Sequence, residues 1–435
     1  MNTIKICIAG LGNVGSQVID SLLNNEQFIS NKSFYKFKIT GISAKNKNKK
    51  RIFNLNNLVW YEKPLDLINK TESDIFIELI GSENSISYEL IKLALNKKMH
   101  VVTANKALLA IHGNELFEIA EKNNVLLLFE AAVAGGIPII RTIKQSLFLN
   151  KIKKISGILN GTTNFILSEM YKTNCDFKSV LQEAQKKGYA EANPINDVEG
   201  IDAAHKLSIL SVVCFGIKFN FNNVVYKGIL DINNQDILFA KQLGYKIKLL
   251  ASSEIKNNKI ISIVEPTLVK NTSKLANVEG VQNGIRIETD YLESLFIEGE
   301  GAGGKATASS IISDLLEIAK GVNINSLGYQ TKQLKQFESM DYDERICSYY
   351  LRIVVKDIPG VLAKITSNLN EEGISIETIL QLPNNEAIDS NLNVPIIITT
   401  HETTSKLLNK VILKIENLDF VVSKIVIISI DKNII

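Results

Sequence analysis

A chain of 435 residues with 45% hydrophobic and 22% charged side chains has room for two or three domains, each with a core of its own. Its net charge of +3 is spread along the sequence, which gives nucleic acid no basic surface, and no apolar run approaches the roughly 20 residues a membrane span needs. Cys7, Cys175, Cys214 and Cys347 form no CxxC pair and no zinc spacing, and a strand starting just after Met1 leaves no place for a signal peptide, so reduced thiols in a cytoplasmic protein are expected.

The first predicted strand, headed by Ile4, Ile6 and Ile8, runs into Gly10-Leu11-Gly12-Asn13-Val14-Gly15 and then an amphipathic helix. This is GxGxxG in a strand–turn–helix setting. Gly10 makes the tight turn, Gly12 lets a pyrophosphate approach the backbone, and Gly15 lets helix pack on strand. A Rossmann-type dinucleotide-binding domain over residues 1–130 follows, with Asn13 and Val14 at the helix start. An acid at the end of the second strand, KFKITGIS, would bond the ribose 2′-hydroxyl of NAD. Nothing between Glu26 and Glu62 is acidic, and Lys45, Lys47, Lys49, Lys50 and Arg51 follow the strand. That favours NADP, with NAD possible; the alternative is a solvated loop whose charges touch nothing.

Two more strand ends present Glu78 with Gly81, and Thr103 with Asn105 and Lys106. Ligands gather at the carboxyl ends of such strands, so Lys106 is a candidate for the mouth of a site. By itself it reads as a lysine at a helix start.

The segment LLLFEAAVAGGIPIIRTI begins as a strand and ends as a helix. Its bend carries Glu130 and the carbonyls of Val133, Gly135 and Ile137, a set suited to a hard monovalent cation or to a plain turn. Asn160-Gly161-Thr162-Thr163-Asn164 is either a grip for a carboxylate or amide, or an N-cap. From Gly188 to Lys206 a turn and a Pro-containing loop bring Glu191, Asp197 and Glu199 ahead of a helix. Asp202 and Lys206 share one face of that helix at i and i+4, and the face turns apolar within a turn. A buried ammonium is costly, so such a lysine can fall toward neutrality and exchange a proton. The rival is a surface ion pair, and the carboxylates just upstream favour the first reading.

The chain is then strand-rich to about residue 298. Gly299, Gly301, Gly303 and Gly304 next open a helix over about 306–325 that is expected to return to the first domain. An α+β catalytic domain thus spans 131–305. After a polar linker, 326–346, residues 347–435 follow the order βαββαβ of a ferredoxin-like module.

Taken in order, VVTANKALLA, NGTTNFIL, GYAEANP with DVEGIDAAHK, and GEGAGGKATA resemble the homoserine dehydrogenases. Asn193 stands where Asp is usual, and Glu300 and Ala306 replace two prolines. The resemblance implies that Lys206 is the acid/base residue and Asp202 its support, and that Glu191, Asp197 and Lys106 hold the substrate. It places Thr103, Lys106, Gly188, Gly301 and Gly303 beside Gly10, Gly12, Asn13, Val14 and Gly15 at the cofactor. It also implies a structural sodium ion at Glu130, Val133, Gly135 and Ile137. The activity implied is interconversion of L-homoserine and L-aspartate 4-semialdehyde. The alternatives are a dehydrogenase of another amino-acid semialdehyde and a non-catalytic sensor. YYLRIVVKDIPGVLAKI resembles an ACT domain, which implies an amino-acid effector such as threonine near Asp357 and Gly360, and a homodimer or homotetramer.

Overall fold

In a computed structural model, the strand Asn2–Ala9 (β1) is buried on both faces from Ile6 to Ala9, as an interior parallel strand requires. The structure describes residues 2–81, 85–322, 325–381 and 393–432. With Tyr35–Ser43 (β2), Trp60–Tyr61 (β3), Ile75–Glu78 (β4), His100–Thr103 (β5) and Leu127–Leu128 (β6), β1 builds a parallel sheet of order β3-β2-β1-β4-β5-β6. The strand order reverses at β1, which opens a crevice at its carboxyl end. Gly10 there has φ +95°, and a Cβ on Gly15 would lie 2.0 Å from the Gly10 carbonyl oxygen, so neither position admits a side chain. The helix Gly304–Ala319 packs Ala308, Ile311 and Leu315 against Val18, Ile19 and Leu22 of the helix Asn13–Asn24.

A second, mixed sheet contains Ile152–Ile158 (β7), Val224–Tyr226 (β8), Tyr245–Lys256 (β9), Lys259–Lys270 (β10), Gln282–Thr289 (β11) and Ser294–Glu300 (β12). Asn257 and Asn258, both at positive φ, turn β9 into β10. The second edge of β10 is shared end to end by Glu338–Ser339 (β13), β8, and a strand from the C-terminus.

That last region runs Ile346–Lys356 (β14), helix Val361–Glu371, Ile376–Leu380 (β15), Asn393–Thr400 (β16), the short Thr403–Thr404 (β17), helix Ser405–Glu416, and Val426–Asp431 (β18). The strands lie in the order β18-β14-β16-β15, with antiparallel neighbours. In the βαββαβ order the segment ISIETILQL is expected as the second strand, and its last residue, Leu382, lies outside the described residues. Pairing of β10 with β18 joins this region to the second sheet.

Three local features depart from the expected elements, the first with a simple cause. The strand-rich stretch contains a helix, Asn234–Gln242, started by a capping box in which Asn233 and Asp236 satisfy each other's backbone N–H. The strand before Glu130 stops at Leu128, and the helix after the bend is one turn, Ile139–Arg141, followed by a π-wound turn over Thr142–Ser146. The late helix starts at Gly304 rather than near 306.

One buried and one partly buried ion pair fasten the C-terminal region down. Asp236, fully buried, accepts from Arg352 Nε at 2.8 Å, Arg352 Nη2 at 3.2 Å and the Tyr350 hydroxyl at 3.0 Å. On β10, Glu265 pairs with Arg345 and accepts from Ser429 Oγ at 2.6 Å. Arg352→Met leaves the Asp236 carboxylate buried without its cation and should cost about 3–5 kcal/mol in urea unfolding. A loss below about 1 kcal/mol would show that solvent reaches Asp236.

Candidate active site

The helix Ile201–Phe215 is bounded by Gly200 and Gly216, both in the left-handed region, and is buried from Asp202 to Cys214. It is enclosed by β9, β10 and the helix Lys106–Lys122, so an amphipathic face is unnecessary and an apolar surround on all sides is possible. Into that surround the sequence puts one ion pair. Lys206, 8% exposed, donates to the Leu159 carbonyl oxygen at 2.7 Å and meets Asp202 Oδ2 at 2.8 Å. The other carboxylate oxygen, Oδ1, meets Lys106 Nζ at 3.0 Å, and this contact crosses from the first domain to the second.

Asn160 completes the group. Its Nδ2 donates to Asp197 Oδ1 at 2.7 Å and to Asp202 Oδ2 at 2.9 Å, while its Oδ1 accepts the Thr163 N–H at 2.8 Å. The NGTTN cluster is therefore an N-cap and a site wall at once. Thr162 donates to the Tyr189 carbonyl oxygen at 2.7 Å, which ties the Gly188 turn to the same place.

Burial alone would raise the Asp202 carboxyl, but Lys206 and Lys106 outweigh it and hold the group well below the usual carboxylate range. Asp197 is pushed up, first by burial and then by Asp202. Lys106 is raised, chiefly by Asp202. Two cations thus share one firmly ionised carboxylate, with a second, more easily protonated carboxylate beside them.

These groups line a cavity of about 580 Å³. Gly188, Tyr189, Gly301 and Gly303 lie on its wall with Lys106, Asn160, Asp197, Asp202 and Lys206. A Cβ on Gly304 would sit 2.8 Å from Asn13 Oδ1, so the Gly301–Gly304 loop abuts the first turn after the GxGxxG motif. Among the described residues nothing lies within 4 Å of a Cβ on Gly12, and no side chain caps the helix that starts at Asn13. Its free N–H groups and open glycine fit a pyrophosphate.

Other expected residues fall differently. Thr103 is fully buried, and its hydroxyl donates to Glu78 Oε2 at 2.7 Å, so it offers a ligand no surface. Glu78, whose Oε1 accepts the Ile80 N–H and the Ser87 hydroxyl at 2.9 Å each, organises the ends of β4 and β5 and thereby positions Lys106. Glu191 lies in the exposed loop outside the cavity wall, though its charge contributes to raising Lys106. Lys45, Lys47, Lys49 and Lys50 are exposed, on a loop that Arg51 gathers by donating to the carbonyls of Asn46, Lys47 and Lys49 while lying over Trp60.

At the bend, Glu130 is 2% exposed and its two oxygens accept the N–H groups of Ile140 and Arg141, each at 2.8 Å. The Gly135 carbonyl accepts from Ser310 Oγ at 2.6 Å, and that of Ile137 accepts the Ile139 N–H at 2.8 Å. No group of three or more His, Cys, Asp or Glu side chains suited to a metal occurs among the described residues. Asp357 and Gly360 are exposed, ahead of the helix Val361–Glu371. All four cysteines are free, Cys7 and Cys214 buried and Cys175 exposed.

Comparison with known proteins bears on this geometry. A family described as "Homoserine dehydrogenase, NAD binding domain" matches residues 10–130, and one described as "Homoserine dehydrogenase" matches residues 138–316. A homoserine dehydrogenase of Neisseria gonorrhoeae is 39% identical over 427 residues, 97% of either chain. The crystal structure of a homoserine dehydrogenase from Thiobacillus denitrificans is similar over 99% of both chains, with TM-score 0.91 and 38% identity. A hyperthermophilic archaeal homoserine dehydrogenase mutant in complex with NADPH is similar over 73% of this chain and 98% of its own, with TM-score 0.61 and 26% identity.

Proposed function

This chain belongs to the homoserine dehydrogenase family and has that family's oxidoreductase activity with a nicotinamide dinucleotide, and on that premise we propose how its residues divide the work. Lys206 passes the proton at the substrate's terminal oxygen. It gives the proton when the semialdehyde is reduced and takes it when homoserine is oxidised. When bound, the cofactor supplies the hydride chemistry. Asp202 holds Lys206 and Lys106 in register, and Asn160 holds Asp202. Asp197 receives the substrate ammonium, with Glu191 at the rim, and Lys106 receives the substrate carboxylate. One observation carries this reading: the Lys206–Asp202–Lys106 triplet lies on the wall of a cavity that also reaches the glycine loop.

The finer proposals extend from there. The preferred cofactor is NADP, supported by the exposed lysines after β2 and the absence of an acid among them. Gly10, Gly12, Asn13, Val14 and Gly15 would hold its pyrophosphate, with Gly301 and Gly303 near the nicotinamide. Sodium would sit at Glu130, whose carboxylate oxygens each accept one N–H and retain a lone pair. Residues 347–435 would be an ACT domain that takes threonine at Asp357 and Gly360, in a homodimer or homotetramer. The enzyme would serve threonine, methionine and isoleucine biosynthesis in the cytoplasm. No helix among the described residues is long and apolar enough to cross a membrane.

Initial rates with homoserine should be at least about tenfold higher in kcat/KM with NADP than with NAD. Threonine should inhibit, and Asp357→Ala should lift that inhibition with the uninhibited kcat unchanged. A variant of this kind is a cleaner test than truncation, which would strip Tyr350 and Arg352 from Asp236 and Ser429 from Glu265. Equal use of both cofactors would remove the lysine loop from the account. Persistent inhibition would move the effector away from Asp357.

A further inference from the structure

Lys248, on β9, is 2% exposed, yet among the described residues no carboxylate bonds to it. Its Nζ lies 2.6 Å from the Val278 carbonyl oxygen, 2.8 Å from Asn164 Oδ1 and 3.3 Å from Ser168 Oγ. Two of these partners only accept, and the third either gives or accepts, so a neutral amine is satisfied there as fully as an ammonium. Burial pushes the amine down to about 7, and Lys246 and Lys172 act the same way against Glu279 and Glu298.

The partners matter because of where they lie. Asn164 also donates through Nδ2 to the carbonyl oxygens of Val278 and Gln282, each at 3.2 Å. Lys248 and Asn164 together clamp the helix Gly161–Thr173 onto the segment from Val278 to Gln282. That segment carries Val281, which lines the active cavity and whose carbonyl oxygen would lie 2.7 Å from a Cβ on Gly161. The same first turn holds Asn160 against Asp197 and Asp202.

We propose that Lys248 is a positioning residue for the proton transfer: it fixes the Asn160 turn against Val278–Gln282 and so sets the carboxylates that face Lys206. The inference rests on the assignment of Lys206 and Asp202 above, and Lys206→Met tests that assignment separately.

In the full chain, Lys248→Met should lower kcat about tenfold and raise the homoserine KM several-fold, as a small displacement of reacting groups does. The NADPH Kd should stay within about twofold, because the glycine-motif contacts lie in the first domain. Lys248→Gln, which keeps a donor, should recover part of the loss.

The second readout is the melting temperature against pH. An amine lowered in the folded state costs stability most below about pH 7, and the cost fades as pH rises toward the ordinary lysine value near 10.4. The Tm of Lys248→Met relative to wild type should therefore be most favourable near pH 6 and decline across that window. Should the Met variant fail to fold, Asn164→Asp takes its place, since it removes both amide donations and should raise KM. A kcat within twofold of wild type per NADPH-binding site in Lys248→Met, an unchanged KM in Asn164→Asp, or a Tm difference independent of pH overturns the proposal.

Discussion

Lys206→Met should lower kcat by about a thousandfold in either direction while the NADPH Kd moves by no more than a few-fold. Met nearly matches the volume of the lysine stem, so the buried helix Ile201–Phe215 keeps its packing. Asp202 is not left bare, because Lys106 still meets its Oδ1. What disappears is the more buried of the two amines that touch Asp202, its side chain 10% exposed against 41% for Lys106. A fall in kcat with no change in Kd is the mark of a group needed only as charge moves. Turnover within tenfold of wild type would take the proton transfer away from Lys206.

Asp202→Asn should be damaging in a different way. The substitution is nearly isosteric, yet it leaves the buried Lys206 without a counter-ion and turns an acceptor of the Asn160 amide into a possible donor facing it. Activity should fall about a hundredfold and stability by about 3–5 kcal/mol, the cost of an orphaned buried charge. The sign with pH follows from the lowered Asp202 carboxyl. Its contribution is complete above the ordinary carboxylate value, near pH 4, and is lost only as pH falls further. Wild type and variant should therefore differ most in urea midpoint at neutral pH and converge in strong acid. A variant as stable as wild type at pH 7 would mean that water screens both lysines.

Much of this was legible because it is local. The GxGxxG turn, the i,i+4 pair at Asp202 and Lys206, and the succession of elements after Ile346 each show in a few consecutive residues. The rest depends on partners from far along the chain. Thr103 ends a strand, as a ligand contact would, but Glu78 arrives from the neighbouring strand and takes its hydroxyl. Lys248 stands in YKIKLL, where alternation suggests a solvent-facing lysine; its burial is decided by Asn164 and Val278. Asn233 to Asp236 is a capping motif visible in the sequence, whereas the partner of Asp236, Arg352, belongs to another region. The pairing of β10 with β18 is made of backbone hydrogen bonds, which leave no trace in residue types.

The most direct test is a crystal structure of the full chain with NADP and homoserine bound together. The account predicts Lys206 Nζ within about 3 Å of the homoserine hydroxyl oxygen, with Asp202 still bridging it to Lys106. Lys106 at that oxygen, with Lys206 turned to Leu159 alone, would contradict it.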